Sequence, residues 1–216
     1  MWLYDRLAGK AQVLGRFVGP AIEQGVLRLD ARDVYVLRGY PEYGLHDDRD
    51  RELLAFPRAG GPSRVVVPRP GPNTFALDET HVYWQHGSFG TGELSRRGKT
   101  GGSPFLVAKA EQGNLFVLGG AVYLNDWSPM ERDLRRVAVT GGTFGTLPIR
   151  VESLVASRER FCWFADRRVS CCGADSVTHS VEVPIEARAL AVSGGSVALA
   201  TRDGDDDSLW LLPIPR

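Results

Sequence analysis

The chain has 216 residues, of which 43% are hydrophobic and 24% charged, the balance of a folded protein rather than a disordered one. Twenty-six basic side chains are matched by twenty-six acidic ones, so net charge offers no reason to expect a nucleic acid or an anionic membrane as partner. No stretch approaches the roughly 20 apolar residues of a spanning helix, and the start, Met1-Trp2-Leu3-Tyr4-Asp5-Arg6, has no basic-then-apolar leader. The expectation is a soluble cytoplasmic chain, or a secreted one if its N-terminus is truncated.

In chain order, residues 1–26 carry Trp2-Leu3-Tyr4, a turn near Gly9-Lys10, and Ala11 to Leu14, two short strands forming the outer half of a unit. The alternative is an amphipathic helix with Leu3, Leu7, Leu14 and Val18 on one face, against which Gly9, Gly15 and Gly19 weigh. From Leu29 a phrase recurs: an apolar run, a polar or glycine turn, and a second apolar run. Its copies are Leu29 to Val36, Leu77 to Trp84, Val117 to Leu124, Ala156 to Trp163 and Val192 to Leu199. Each reads as a hairpin of strands a and b. Three copies are followed by a second hairpin, strands c and d, about a Gly-Gly turn at Gly60-Gly61, Gly101-Gly102 and Gly141-Gly142. Successive copies start 48, 40, 39 and 36 residues apart. Four short strands every roughly 40 residues is the signature of propeller blades, because stacking buries both faces of each sheet.

The predicted fold is therefore an all-β propeller with a half blade at 1–26, blades at 27–73, 74–114, 115–153 and 154–189, and a partial blade at 190–216. Five blades result if the N-terminal segment completes the last one and hides the open edges. An incomplete six-bladed ring is the alternative.

Val82-Tyr83-Trp84 after Leu77-Asp78-Glu79-Thr80, followed by Thr100-Gly101-Gly102-Ser103-Pro104, resembles bacterial six-bladed propellers built from repeated Val-Tyr-Trp and Gly-Gly units. These are distantly similar to YWTD and TolB-like propellers. The resemblance covers Leu27 to Leu199 and implies the fold. It carries no single activity, since folds host many functions. The fourth unit departs from the pattern, with Phe161-Cys162-Trp163 in place of the phrase and Cys171-Cys172-Gly173 near the turn.

Motifs with chemical potential mostly resolve into structure. Gly98-Lys99-Thr100 echoes a phosphate loop, but Glu93 stands where its first glycine belongs and a strand follows, so a turn is expected. His81 and His86 would face opposite ways in a strand, which disfavours a shared metal. Three cysteines, Cys162, Cys171 and Cys172, are an odd count and a poor disulfide framework. They suit a reducing compartment better, with one of the adjacent pair in the core and the other exposed. Asp203, Asp205 and Asp207 have the alternate spacing of a calcium loop, but Ser208 and Ile214 occupy its glycine and glutamate positions. A solvated acidic loop is the bland reading and a looser calcium site the sharper one; no other cofactor is implied. No Gly-x-Ser-x-Gly elbow or His-Glu-x-x-His pair occurs. Tyr35, Tyr83, Tyr123, Trp84 and Trp163 recur with the repeat and are assigned to packing between blades.

The remaining candidates lie in the connections between strands b and c, which share a propeller face with the d-to-a connections. Tyr40, Tyr43, His46, Phe89, Asp126, Trp127 and Met130 set aromatic and soft anchors beside acids, a composition suited to protein partners. The first functional expectation is a non-catalytic protein-interaction scaffold using this face, with no catalytic residues. A metal-assisted hydrolase or lyase would need His46 or His86 to converge with Asp47, Asp126 or Asp203. A structural subunit of a larger assembly would take its missing strand from a partner.

Overall fold

A computed structural model describes residues 2–5, 10–13, 22–38, 51–69, 71–87, 92–126, 133–151, 153–157, 159–173, 178–183, 187–193, 196–203 and 206–214. The regular structure among them is entirely strand. The runs are rich in Val, Leu, Tyr and Phe, which suit a pleated surface, and short turns separate them. Gly119 and Gly120 take φ of 57° and 73°, the paired positive values of a tight hairpin turn that glycine adopts without penalty.

Four sheets are four-stranded antiparallel meanders. The first is β3 (Ile22–Leu29), β4 (Asp33–Arg38), β5 (Glu52–Pro57) and β6 (Arg64–Val67). The second is β7 (Thr74–Leu77), β8 (His81–His86), β9 (Glu93–Gly98) and β10 (Gly101–Lys109). The third is β11 (Gly113–Leu118), β12 (Ala121–Asp126), β13 (Asp133–Ala138) and β14 (Gly145–Arg150). The fourth is β15 (Ser153–Ala156), β16 (Arg160–Ala165), β17 (Arg168–Gly173) and β18 (Thr178–Glu182). A fifth sheet has three strands, β19 (Ala187–Ser193), β20 (Ser196–Asp203) and β21 (Asp206–Pro213). At the start, β1 (Trp2–Asp5) and β2 (Lys10–Val13) pair with each other. The described residues of the N-terminal segment are thus strand rather than helix. Among the described residues β21 is an outer strand of the fifth sheet.

The chain divides into two compact units, 1–112 and 113–216. In the first, Tyr35, Leu37, Leu53 and Ala55 of the first sheet meet Phe75, Val82 and Trp84 of the second. In the second, β16 shows how a sheet buries both faces. Phe161 and Trp163 pack with Phe116, Tyr123 and Leu134 of the third sheet, and the Tyr123 and Phe161 ring centroids are 4.9 Å apart. The alternate residues, Cys162 and Phe164, pack with Leu190, Val197 and Leu199 of the fifth. Burying both faces explains why the inner strands read as continuous apolar runs rather than alternating ones. Truncating an aromatic in such a core costs about 3–5 kcal/mol.

The cysteines require a correction. Cys162 and Cys171 stand directly opposite each other across β16 and β17 and form a disulfide, with Cα atoms 4.1 Å apart. Register, which spacing along the chain does not reveal, brings them together. Cys171 and Cys172 are both buried, where one was expected to be exposed, because β17 is covered on each face.

Candidate functional site

The strand ends of the first unit carry two different polar constructions. At the a–b turns an aspartate organises the backbone. Asp78 accepts the amides of Thr80 and His81 at 2.7 and 2.6 Å, and its other oxygen accepts the Tyr83 hydroxyl at 2.6 Å. Asp30 repeats this with the Arg32 and Asp33 amides at 2.7 and 2.8 Å and the Tyr35 hydroxyl at 3.2 Å. An aspartate closing a turn by bonding backbone amides is a local motif; the tyrosine five residues on ties it to strand b.

Asp30 has one further partner. Lys99, in the β9–β10 turn, places Nζ 2.6 Å from its carboxylate and 5.6 Å from the Tyr35 ring centroid. Lys99 therefore links two sheets and sits in a turn, as expected against the phosphate-loop echo. Burial pushes the Asp30 carboxyl up, but the Lys99 ammonium and the two amides outweigh it and hold the carboxyl at about 2. For Asp78 burial again pushes upward, and the Tyr83 hydroxyl with the His81 and Thr80 amides brings the net shift below the ordinary value. Burial, then the neighbouring aspartate, raises both tyrosines well above the usual phenol range.

The opposite ends, where b–c and d–a connections meet, hold an amide clasp. The Gly87 carbonyl accepts Asn73 Nδ2 at 3.0 Å and Gln112 Nε2 at 2.9 Å. The Asn73 backbone donates to the Gln85 carbonyl at 2.8 Å, and Arg51 Nη1 donates to Asn73 Oδ1 at 3.2 Å. His86 Nε2 lies 3.6 Å from Glu93 Oε2. Gly92 accepts the Ala110 amide at 2.9 Å, and a Cβ on Gly92 would sit 2.4 Å from the Ala110 carbonyl oxygen. Both stems of the segment between β8 and β9 are thereby anchored. Sequence reasoning missed Asn73 and Gln112. The available signal was position, since each amide residue immediately precedes strand a of a sheet.

Of the residues proposed from sequence, Tyr40, Tyr43, His46, Phe89, Trp127, Met130 and Asp205 lie outside the described residues, as does Asp47. Asp126 ends β12, its backbone opposite Gly113. The acidic stretch differs from the loop expected. Asp203 pairs with Asp206 and Asp207 with Arg202, so the β20–β21 connection shrinks to residues 204–205. The β16–β17 connection is equally tight, with Asp166 and Arg167 at φ of 50° and 58°. The extended b–c segments are therefore 39–51, 87–92 and 127–132. His81 and His86 occupy opposite ends of β8, roughly 17 Å apart at strand rise. Among the described residues no three His, Cys, Asp or Glu side chains gather as a metal site.

No protein-family model matches the chain, and no curated protein matches it. Solved structures do. TolB from Acinetobacter baumannii aligns with a TM-score of 0.54 at 11% identity, over 85% of this chain and 49% of TolB. BamB from Moraxella catarrhalis aligns at 0.54 and 15%, over 89% of this chain and 61% of BamB. A quinoprotein alcohol dehydrogenase-like protein from Bacteroides thetaiotaomicron aligns at 0.55 and 13%, over 97% and 54%. The chain thus spans about half to three-fifths of these proteins' lengths. At such identity the likeness concerns the fold: successive four-stranded antiparallel sheets matched to these chains make the protein an all-β propeller.

Proposed function

We propose that this propeller is a non-catalytic binding module whose b–c connections engage another protein, with a bacterial source as its resemblance implies. The observation that carries this reading is the contrast at one topological position. The fourth and fifth sheets join strands b and c through two residues each, whereas the first three use segments 39–51, 87–92 and 127–132. Extended connections on a rigid scaffold are where binding residues concentrate in repeat proteins. The Gly87 clasp supports the reading, because it anchors the stem of the segment that carries Phe89. Tyr40, Tyr43 and Trp127 supply aromatic groups of the kind that dominate protein interfaces.

The cytoplasmic expectation stands against the Cys162–Cys171 bond, which favours an oxidising compartment. The test is quantitative capture of partners from the native host, comparing the unaltered chain with Tyr43→Ala and Trp127→Ala. Loss of the same partner from both variants, with thermal stability unchanged, is the expected result. Full retention of every partner would refute the reading.

A further inference from the structure

Cys162, Cys171 and His179 form a row across three neighbouring strands. Cys162 of β16 stands opposite Cys171 of β17, and Cys171 stands opposite His179 of β18. Directly opposed residues of an antiparallel sheet share a face, with Cβ atoms about 4.5–5.5 Å apart. The row therefore sets an imidazole beside one sulfur of the disulfide, on the face turned toward the fifth sheet.

A cavity of about 10 Å³ lies at this point. Cys171 and His179 line it with Val169, Val181, Val197 and Leu212, and His179 is the one basic side chain among its lining residues. Cys162 is not part of that lining. It is fully buried, whereas Cys171 is 5% exposed. The two sulfurs are thus unequal: Cys171 meets whatever enters, and Cys162 stands behind it. Space of this size holds roughly one water, which excludes a peptide thiol and selects reagents of a few atoms.

The disulfide ties residues that the backbone already holds together. β16 and β17 are paired from Arg160 and Gly173 through Ala165 and Arg168, so the ladder keeps the sulfurs adjacent whether or not they are joined. A dithiol so placed closes by an intramolecular step, favoured by proximity. The thiolate is the nucleophile, and apolar surroundings keep a thiol protonated. His179 supplies the base that the cavity otherwise lacks.

We propose that Cys171, flanked by His179 and Cys162, is a peroxide-reactive thiol, and that the disulfide is the product of its reaction with hydrogen peroxide. The Cys171 thiol passes its proton to His179, and the thiolate sulfur attacks one peroxide oxygen. An S–O bond forms, the O–O bond breaks, and the departing hydroxide takes the proton back from His179 as water. The Cys162 sulfur then displaces hydroxide from the Cys171 sulfenic acid. The S–S bond forms, the S–O bond breaks, and the Cys162 proton leaves in a second water. Two thiols and one peroxide become a disulfide and two waters, the two-electron oxidation of sulfur matching the reduction of peroxide. The b–c connections take no part, so this reading and the binding reading can fail separately.

The experiment uses the full chain, reduced with dithiothreitol in dilute urea and desalted without oxygen. Circular dichroism is expected to show its strands retained. Hydrogen peroxide is expected to remove two hydrogens by intact mass and to yield a linked Cys162–Cys171 peptide, faster than it oxidises free cysteine in the same buffer. Catalase is expected to preserve the dithiol. His179→Gln is expected to slow the reaction by about a hundredfold, with the thermal midpoint unchanged. In Cys162→Ser the sulfenic acid is expected to persist on Cys171 and be trapped by dimedone, with Cys172, on the opposite face of β17, unlabelled. Oxidation no faster than that of free cysteine, a rate indifferent to His179→Gln, label on Cys172 in place of Cys171, or bond formation undiminished by catalase overturns the proposal. A reduced chain that loses its strands overturns it equally, because the ladder would then not hold the sulfurs for reaction.

Discussion

Replacing Lys99 by Met removes the ammonium that joins the β9–β10 turn to the Asp30 turn of the preceding sheet. The lost interaction is a 2.6 Å contact between side chains only 10% and 17% exposed. A hydrogen bond to a charged group contributes about 1.5–3 kcal/mol, and a cation beside an aromatic ring about 0.5 kcal/mol when water still reaches it. Solvent at the rim screens both, so Lys99→Met is expected to destabilise the protein by about 2 kcal/mol at neutral pH. Asp30→Asn keeps an oxygen for the turn amides while removing the charge, which permits a double-mutant cycle by urea unfolding. The expected coupling is about 1.5 kcal/mol at pH 7. Its pH dependence follows from the depressed carboxyl. Asp30 titrates at about 2 in the folded protein and at about 3.9 unfolded. Its contribution is therefore complete above about pH 4 and is lost as pH falls through about 2. A coupling absent at neutral pH, or one that persists unchanged in acid, would refute the claim that this ion pair links the two sheets.

Two further outcomes follow from the same geometry. Tyr83→Phe removes the hydroxyl held 2.6 Å from Asp78 and is expected to cost about 1–2 kcal/mol, with a lowered urea midpoint and an upward shift of the Asp78 carboxyl by NMR titration. Cys162 and Cys171 are separated by nine positions, and closing a loop of that length stabilises by about 2.6 kcal/mol in the chain-entropy treatment. Cys162→Ser/Cys171→Ser should melt lower than the oxidised protein by a corresponding amount, and reductant should lower only the unaltered protein.

The strand architecture was legible because the repeat carries its own confirmation. Leu77 to Trp84 became the β7–β8 hairpin, and Gly101-Gly102 follows the turn that opens β10. What escaped the sequence was everything set by register or by contact between sheets. Cys162 and Cys171 meet only because the β16–β17 hairpin folds about Asp166-Arg167. Lys99 and Asp30 lie 69 residues apart, and no local pattern couples them. Asp203 to Asp207 read as a loop because acidic residues are common in loops, but Asp203, Asp206 and Asp207 belong to the β20–β21 ladder. The site was half legible. The long connections after strand b could be read from spacing, and they span 39–51, 87–92 and 127–132, while Asn73 and Gln112, which brace Gly87, resemble any other polar surface residues until the strands assemble.

The pleat of β17 has a chemical consequence. Cys172 adjoins a disulfide-bonded cysteine in the chain, an arrangement that ordinarily invites scrambling. Thiol–disulfide exchange requires a thiolate to reach a sulfur of the existing bond. Here Cys171 belongs to the core shared with the fifth sheet and Cys172 to the core shared with the third. Its thiol donates to the Gly173 carbonyl at 3.4 Å. The peptide backbone thus insulates the thiol from the bond beside it, and an odd cysteine count is chemically quiet for as long as the strand stays in place.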